Sequence, residues 1–381
     1  MNFEFSTAHR IIFKQGASQQ IPALAAQFGE RPCLVIGSNP NRTAWLRDAF
    51  NEPPLIIQMA TEPDTDSMVK AVAAVRDGNC DVVVALGGGS VLDTGKVLSA
   101  LATNKKDIFE YLEVVGRGTP LTNPPLPMIA VPTTAGTGSE VTANGVLLSN
   151  KHGVKVSLRS SEMIPNISVI DPELTLSMPH SVTASTGMDA LTQLIEAYVS
   201  NKSNPITDAL CREGIMRAAT SLHAACEDGK NIAAREDMCI ASLFSGIALA
   251  NAKLGAVHGF AAPMGGEFKA PHGMICASLL PHVIRANIQA LRLRTPESST
   301  LFRYTEIAVM LTGDVTNEAE DGADWIQNLC SELGIPSLAG LGVPSKDFDK
   351  LAQKATQTSS MKGNPIELTH EELIKILESA A

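Results

Sequence analysis

The first half of the chain alternates short, nearly continuous apolar runs with longer amphipathic stretches. CLVIG at Cys33–Gly37, PLIIQM at Pro54–Met59, DVVVAL at Asp81–Leu86 and PMIAVP at Pro127–Pro132 are short and rich in β-formers. Apolar runs of this kind are strands buried on both faces, as in a mostly parallel sheet covered by helices. Between them, Met68, Val69, Val72 and Val75 recur at helical spacing within Asp66–Asp77. That stretch predicts a helix laid on a sheet face.

The pattern changes near DPELTLSMP, Asp171–Pro179, where β-rich runs give way to long Ala- and Leu-rich segments of helical period. Helices are expected around Thr183–Val199, Pro205–Glu227, Ala234–Ala252, Met274–Gln289, Ser299–Met310, Glu318–Leu333 and Thr369–Ser379. The last opens with Thr-His-Glu-Glu, which has the form of a capping box. The expectation is an α/β domain over residues 1–179 and an all-helical domain over 180–381, with a cleft between them. No internal repeat or low-complexity linker interrupts either half.

Composition narrows the function classes. A chain of 381 residues with 44% hydrophobic and 18% charged residues has material for two buried cores and is not disordered. Its net charge of -10, without clustered Lys and Arg, argues against a nucleic-acid surface and for a small-molecule partner. Cys33, Cys80, Cys211, Cys226, Cys239, Cys276 and Cys330 are scattered and form no CxxC pair, so they read as reduced, mostly buried thiols. MNFEFSTAHRIIF lacks the layout of a secretion signal, and no run of about 18 apolar residues follows. A cytoplasmic protein with no membrane partner is expected.

Two segments carry chemistry. In DVVVALGGGSVLDTGK, Asp81–Lys96, an apolar strand runs into Gly87, Gly88, Gly89 and Ser90 and then a helix. Backbone approaches a pyrophosphate closely only where side chains are absent, and a helix N-terminus presents free N–H groups to the anion. The turn is neither a GxGxxG fingerprint nor a Walker loop. In VPTTAGTGSEVT, Val131–Thr142, a second strand leads into a loop dense in hydroxyls and glycines. Such a loop suits phosphate, ribose or carboxamide recognition.

GGGSVLDTGK followed by PTTAGTGSEVT closely resembles the iron-containing (group III) alcohol dehydrogenases. The resemblance continues through DPELTLSMP, MDALTQLIEAYVS, VHGFAAPMGGEFKAPHG, ASLLPHV and NPIELTHEEL, in order and over nearly the whole chain. It implies a dehydroquinate synthase-like architecture: a Rossmann-like dinucleotide-binding α/β domain, an all-α domain, and hydride transfer in the cleft. Carried over residue by residue, Gly88, Gly89, Ser90 and Asp93 would meet the pyrophosphate and nearby groups. Thr133, Thr134 and Thr137 would line the ribose and nicotinamide side, and Lys155 matches a family lysine near the cofactor. Where many members place an acidic residue at the end of the strand corresponding to CLVIGSN, this chain has Ser38, with Asn39, Asn41 and Arg42 close by. Without a carboxylate to repel a 2′-phosphate, the cofactor is NAD or NADP, with NADPH tolerated or preferred.

The resemblance also implies a divalent metal, Fe or Zn, held by an Asp and a His four residues apart on one helix and by two later histidines. The matching positions here are Asp189, Gln193, His258 and His272. Asp189 and Gln193 keep the i, i+4 spacing that shares a helix face, but an amide replaces an imidazole and is a weaker ligand. Ala262 stands four residues after His258, where the family commonly has another histidine. The metal site is therefore altered.

Three functions follow. The first is metal-assisted hydride transfer between NAD(P) and a small alcohol or aldehyde, with Asp189, His258 and His272 polarising the substrate oxygen and Gln193 as a weak fourth ligand. The second is a metal-free NAD(P)H reductase of an acidic carbonyl, similar in kind to maleylacetate reductases, with His258 or His272 as proton donor. The third is a catalytically silent dinucleotide-binding protein. The resemblance also implies a homo-oligomer, a dimer in the simplest case.

Overall fold

The computed structural model describes residues 2–59, 61–268 and 270–381. They divide into two compact units. Ser6–Thr134 with Gly138–Thr175 form one, and Leu176–Ala381 with residues 2–5 and Ala135–Thr137 form the other.

The first unit is built on strands β1 (Arg10–Phe13), β2 (Pro32–Ile36), β3 (Leu55–Gln58), β4 (Val82–Gly87), β5 (Met128–Pro132) and β8 (Ile167–Ile170). They form one sheet in the order β1-β8-β5-β4-β2-β3, and every pairing is parallel. A separate antiparallel hairpin joins β6 (Asn144–Ser149) to β7 (Val154–Arg159). Helices α1 (Ile21–Ala25), α2 (Ala44–Arg47), α3 (Thr65–Asp77), α4 (Gly89–Thr103) and α5 (Ile108–Tyr111) complete the unit.

Strand period sorts the side chains onto two faces. Cys33, Val35, Val83, Ala85, Met128 and Ala130 pack with α3 and α4. Leu34, Ile36, Val82, Val84, Leu86, Ile129 and Val131 pack with α1 and with Leu46 of α2. The connection leaving β2 therefore goes to one face and that leaving β4 to the other. Because β2 and β4 are neighbours, this is a topological switch point, where a crevice opens at the carboxyl ends of the strands.

The second unit contains α6 (His180–Val199), α7 (Pro205–Glu227), α8 (Ile232–Ala252), α9 (Ala256–Glu267), α10 (His272–Arg294), α11 (Ser299–Thr312), α12 (Ala319–Glu332), α13 (Phe348–Thr356) and α14 (His370–Ser379). Among the described residues it holds no strand. From Thr183 to Val199 only Thr186 is not buried, which makes α6 the central helix. The expected capping box of α14 is present at Thr369 and Glu372, and α7 has another at Asn204 and Thr207 behind Pro205. Helix α10 is long and apolar enough to cross a membrane, but 72% of that apolar window is buried inside the protein.

The α/β and all-helical classes stand as the pattern predicts. Elements the pattern did not disclose are β1, β8, the β6–β7 hairpin, the short helices α1, α2 and α5, and α9 and α13. Helix α9 reads AVHGFAAPMGGE, with three glycines and Pro263 inside it, a composition that reads as loop.

Candidate active site

At the switch point, Ile36 pairs with Leu86 and Gly87 with Pro132, so the segments after β2, β4 and β5 emerge side by side. Gly87 lies against Val91: a Cβ there would stand 2.6 Å from the Val91 Cβ, so only glycine lets α4 turn so tightly onto its strand. Gly88 is the N-cap of α4 in extended conformation, with no side-chain cap. Gly89 and Ser90 begin the helix, whose first N–H groups have no partner within it. Thr133 N–H donates to the Gly87 carbonyl at 3.0 Å, which brings the threonine loop beside the glycine turn. Thr137 belongs to the helical unit.

Other expected cofactor residues occupy different surroundings. Asp93 accepts hydrogen bonds from Ser139 Oγ at 2.6 Å and the Val146 N–H at 3.1 Å, and Lys96 Nζ lies 3.1 Å from it. Lys96 is fully buried and also donates to Thr142 Oγ1 at 2.9 Å. Burial pulls the Lys96 pKa below its ordinary value, against the pull of Asp93. This network ties α4 to the loop after β5 and to β6. Lys155 on β7 is paired with Glu62 at 2.7 Å. Ser38 is exposed just past β2, and its carbonyl accepts from Gln58 Nε2 at 2.8 Å.

In the helical unit, Asp189, His258, His272 and Cys276 converge, with one potential ligand atom from each within 4.8 Å of all the others. Asp189 Oδ1 lies 3.3 Å from His258 Nε2 and 3.7 Å from His272 Nε2, and Cys276 Sγ lies 3.8 and 3.7 Å from the same nitrogens. Asp189 is buried, and its Oδ1 has no hydrogen-bond partner. A buried carboxylate oxygen without a donor is costly unless a cation balances it. The donor set of carboxylate, two imidazoles and thiol thus fits a divalent metal.

Local structure explains each position. Asp189 and Gln193 share a face of α6. His258 sits in the first turn of α9, held by Glu196, whose Oε2 is 2.6 Å from His258 Nδ1 and whose Oε1 accepts the Val257 N–H at 2.6 Å. Glu196 thus caps α9 and directs His258 Nε2 into the cluster. His272 is the first residue of α10 and Cys276 lies one turn on. A Cβ at Gly273 would stand 2.0 Å from the Ser185 carbonyl oxygen, so glycine is what lets α10 begin against α6. Ala262 is exposed on α9.

Electrostatics agree with this packing. Burial disfavours the His258 cation, but Cys276, the Asp189 carboxylate and the hydrogen bond to Glu196 outweigh it and hold the pKa well above the ordinary value. Cys276 and Asp189 also raise His272, against burial. Burial pushes Asp189 up, yet the two imidazoles leave it lower than usual. Gln193 is buried beside the cluster, its Nε2 3.4 Å from Asp189 Oδ2 and its Oε1 accepting from Ser245 Oγ at 2.9 Å. Sequence reasoning missed Glu196 and Cys276. The available signals were Glu196 one heptad after Asp189, and Cys276 four residues after His272.

A parallel sheet with a glycine turn at its switch point, in a chain that also builds a buried carboxylate–imidazole cluster, defines a nucleotide-dependent metal oxidoreductase. Residues 8–172 match the family described as iron-containing alcohol dehydrogenase, and residues 183–381 match its C-terminal region. The chain belongs to the iron-containing alcohol dehydrogenase family. It is 37% identical over 342 residues to 1,3-propanediol dehydrogenase of Klebsiella pneumoniae, covering 88% of this chain and 85% of that protein. The alcohol dehydrogenase of Oenococcus oeni superposes with a TM-score of 0.91 at 32% identity, over the full length of both chains. A maleylacetate reductase from Agrobacterium tumefaciens is more distant, with a TM-score of 0.81 at 25% identity over 100% of this chain and 98% of that one. The protein is thus a nicotinamide-dependent oxidoreductase acting on CH–OH donors, in a family whose substrates are small alcohols or aldehydes and which uses a divalent metal.

Proposed function

We propose that this chain interconverts a small alcohol and its aldehyde, with Asp189, His258 and His272 among the metal ligands and Gly88, Gly89 and Ser90 at the cofactor pyrophosphate. The observation that carries the reading is the buried Asp189 Oδ1, which faces two imidazole nitrogens yet makes no aligned hydrogen bond. A divalent cation held there supplies Lewis-acid polarisation of the substrate oxygen, favouring the alkoxide as hydride leaves. Glu196 fixes the orientation of His258, and the His272 side chain, 42% exposed, marks the side from which substrate reaches the cluster. Asp93 and Lys96 act on the cofactor through the loop they hold, as positioning residues.

A metal-free pocket, with His258 or His272 delivering the proton, would leave Asp189 Oδ1 facing the imidazoles at 3.3 and 3.7 Å without an aligned hydrogen bond. That counts against it. Ser38, with no carboxylate after β2, supports acceptance of NADPH beside NADH. We also infer a homodimer, which sedimentation velocity would overturn by returning a monomer mass. The seven free thiols support a cytoplasmic setting, and disulfides in protein isolated under thiol-blocking conditions would count against it.

The test is metal content per chain, with NADH- and NADPH-dependent aldehyde reduction measured before chelation, after it, and after adding Zn²⁺ or Fe²⁺ back. Activity lost on chelation and restored by metal is the expected result. Undiminished reduction by metal-free protein would establish the alternative chemistry, and cofactor binding without turnover under any condition would mark a silent protein.

A further inference from the structure

Resting on the reading that this cluster holds a divalent metal, we propose that Cys276 Sγ is its fourth protein ligand, giving an Asp–His–His–Cys thiolate centre in which Gln193 takes no part.

Spacing carries the argument. In a tetrahedral set, ligand atoms stand about 1.63 bond lengths apart, so bonds of about 2.0–2.3 Å to O, N and S require separations of about 3.3–3.8 Å. Of the six separations among Asp189, the two histidines and Cys276, the four between an imidazole and Asp189 or Cys276 are 3.3, 3.7, 3.8 and 3.7 Å, and all six lie within 4.8 Å. Cys276 is fully buried, and both imidazoles direct Nε2 towards it. Because His272 and Cys276 are four residues apart at the start of α10, they share a face that points into the cluster, and helix geometry alone holds them as a pair.

Gln193 is arranged otherwise. Its carbonyl oxygen accepts from the Ser245 hydroxyl, and its amide nitrogen faces Asp189 Oδ2. Turning the amide over would set two acceptor oxygens against each other at 3.4 Å. In this place Gln193 orients Asp189, a positioning role.

The exchange has a chemical consequence. Thiolate is a softer donor than imidazole or amide, so the centre favours Zn²⁺ over Fe²⁺ beyond the ordinary order of affinities.

The experiment is to strip the full-length protein, load it with one Co²⁺ per chain and record its absorption spectrum, native and as Cys276→Ser and Gln193→Ala. The native chain should show an intense near-ultraviolet thiolate-to-cobalt charge-transfer band. Cys276→Ser should lose it and bind Zn²⁺ more than about 100-fold more weakly in chelator competition. Gln193→Ala should keep the band, with affinity within the roughly 10–100-fold loss typical of an outer partner. Stoichiometric cobalt without the band in native protein would overturn Cys276 as a ligand while leaving the metal reading intact. Failure to bind any divalent metal would overturn both. Should Cys276→Ser not fold, zinc-edge X-ray absorption of the native protein settles the question: one sulfur at about 2.3 Å supports the proposal, and a shell of nitrogen and oxygen alone refutes it.

Discussion

Glu196 does two things at once: it accepts the first free N–H groups of α9 and fixes the ring of His258. Replacing it with glutamine keeps the volume but removes the charge that holds the Nδ1 proton. Glu196→Gln should therefore weaken metal affinity by about 10–100-fold, measured by chelator competition, with little change in far-ultraviolet circular dichroism. A second acid acts far from the metal. Glu140 is buried in the α/β unit, and burial lifts its carboxyl from the ordinary 4.5 to about 7, against its own amide and Lys96. Below pH 4.5 the group is neutral both folded and unfolded, so it has no effect there. As pH rises towards 7 the unfolded chain ionises first, and the native state loses roughly 3 kcal/mol relative to it. Glu140→Gln should therefore gain urea resistance over the native protein between pH 5 and pH 8. Equal midpoints for the two proteins at both pH values would refute this.

At the scale of elements, the site depends on how α10 starts. His272 and Cys276 reach the cluster only because Gly273 allows α10 to meet the backbone of α6 at Ser185. Gly273→Ala forces a Cβ against a carbonyl oxygen and should cost about 1–3 kcal/mol of stability, as overpacking does. It should also lower metal content per chain, since His272 moves with the displaced turn. Thermal melting and metal analysis together check this, and an unchanged midpoint with full metal would exclude the close approach. The same scale shows where pattern reading failed. Helices α6 and α7 were legible because long periodic segments overwhelm local exceptions. Helix α9 was not: Pro263 and its glycines contradict helix propensity, and the helix stands because Glu196 and Asn364 occupy its first N–H groups and its inner face is buried.

Over the whole molecule, the groups at the glycine turn belong to a unit with its own core clusters, separate from the metal cluster's residues. Removing the metal should abolish turnover yet leave dinucleotide affinity largely unchanged, as fluorescence titration with NADH would show; loss of binding on chelation would contradict it. The chain's own pattern determined the strand–helix alternation, the helical second half and the glycine turn, because each depends on neighbours within a few residues. The resemblance it carries supplied the family, the nicotinamide, the metal and the positions Asp189, Gln193, His258 and His272. Tertiary structure alone decided that Glu196 holds His258, that Asp93 and Lys96 anchor a loop, and that Cys276 joins Asp189. Those contacts link positions up to 87 residues apart in Asp189–Cys276. A cysteine four residues after a histidine becomes a candidate ligand only when packing delivers a buried carboxylate to the same point.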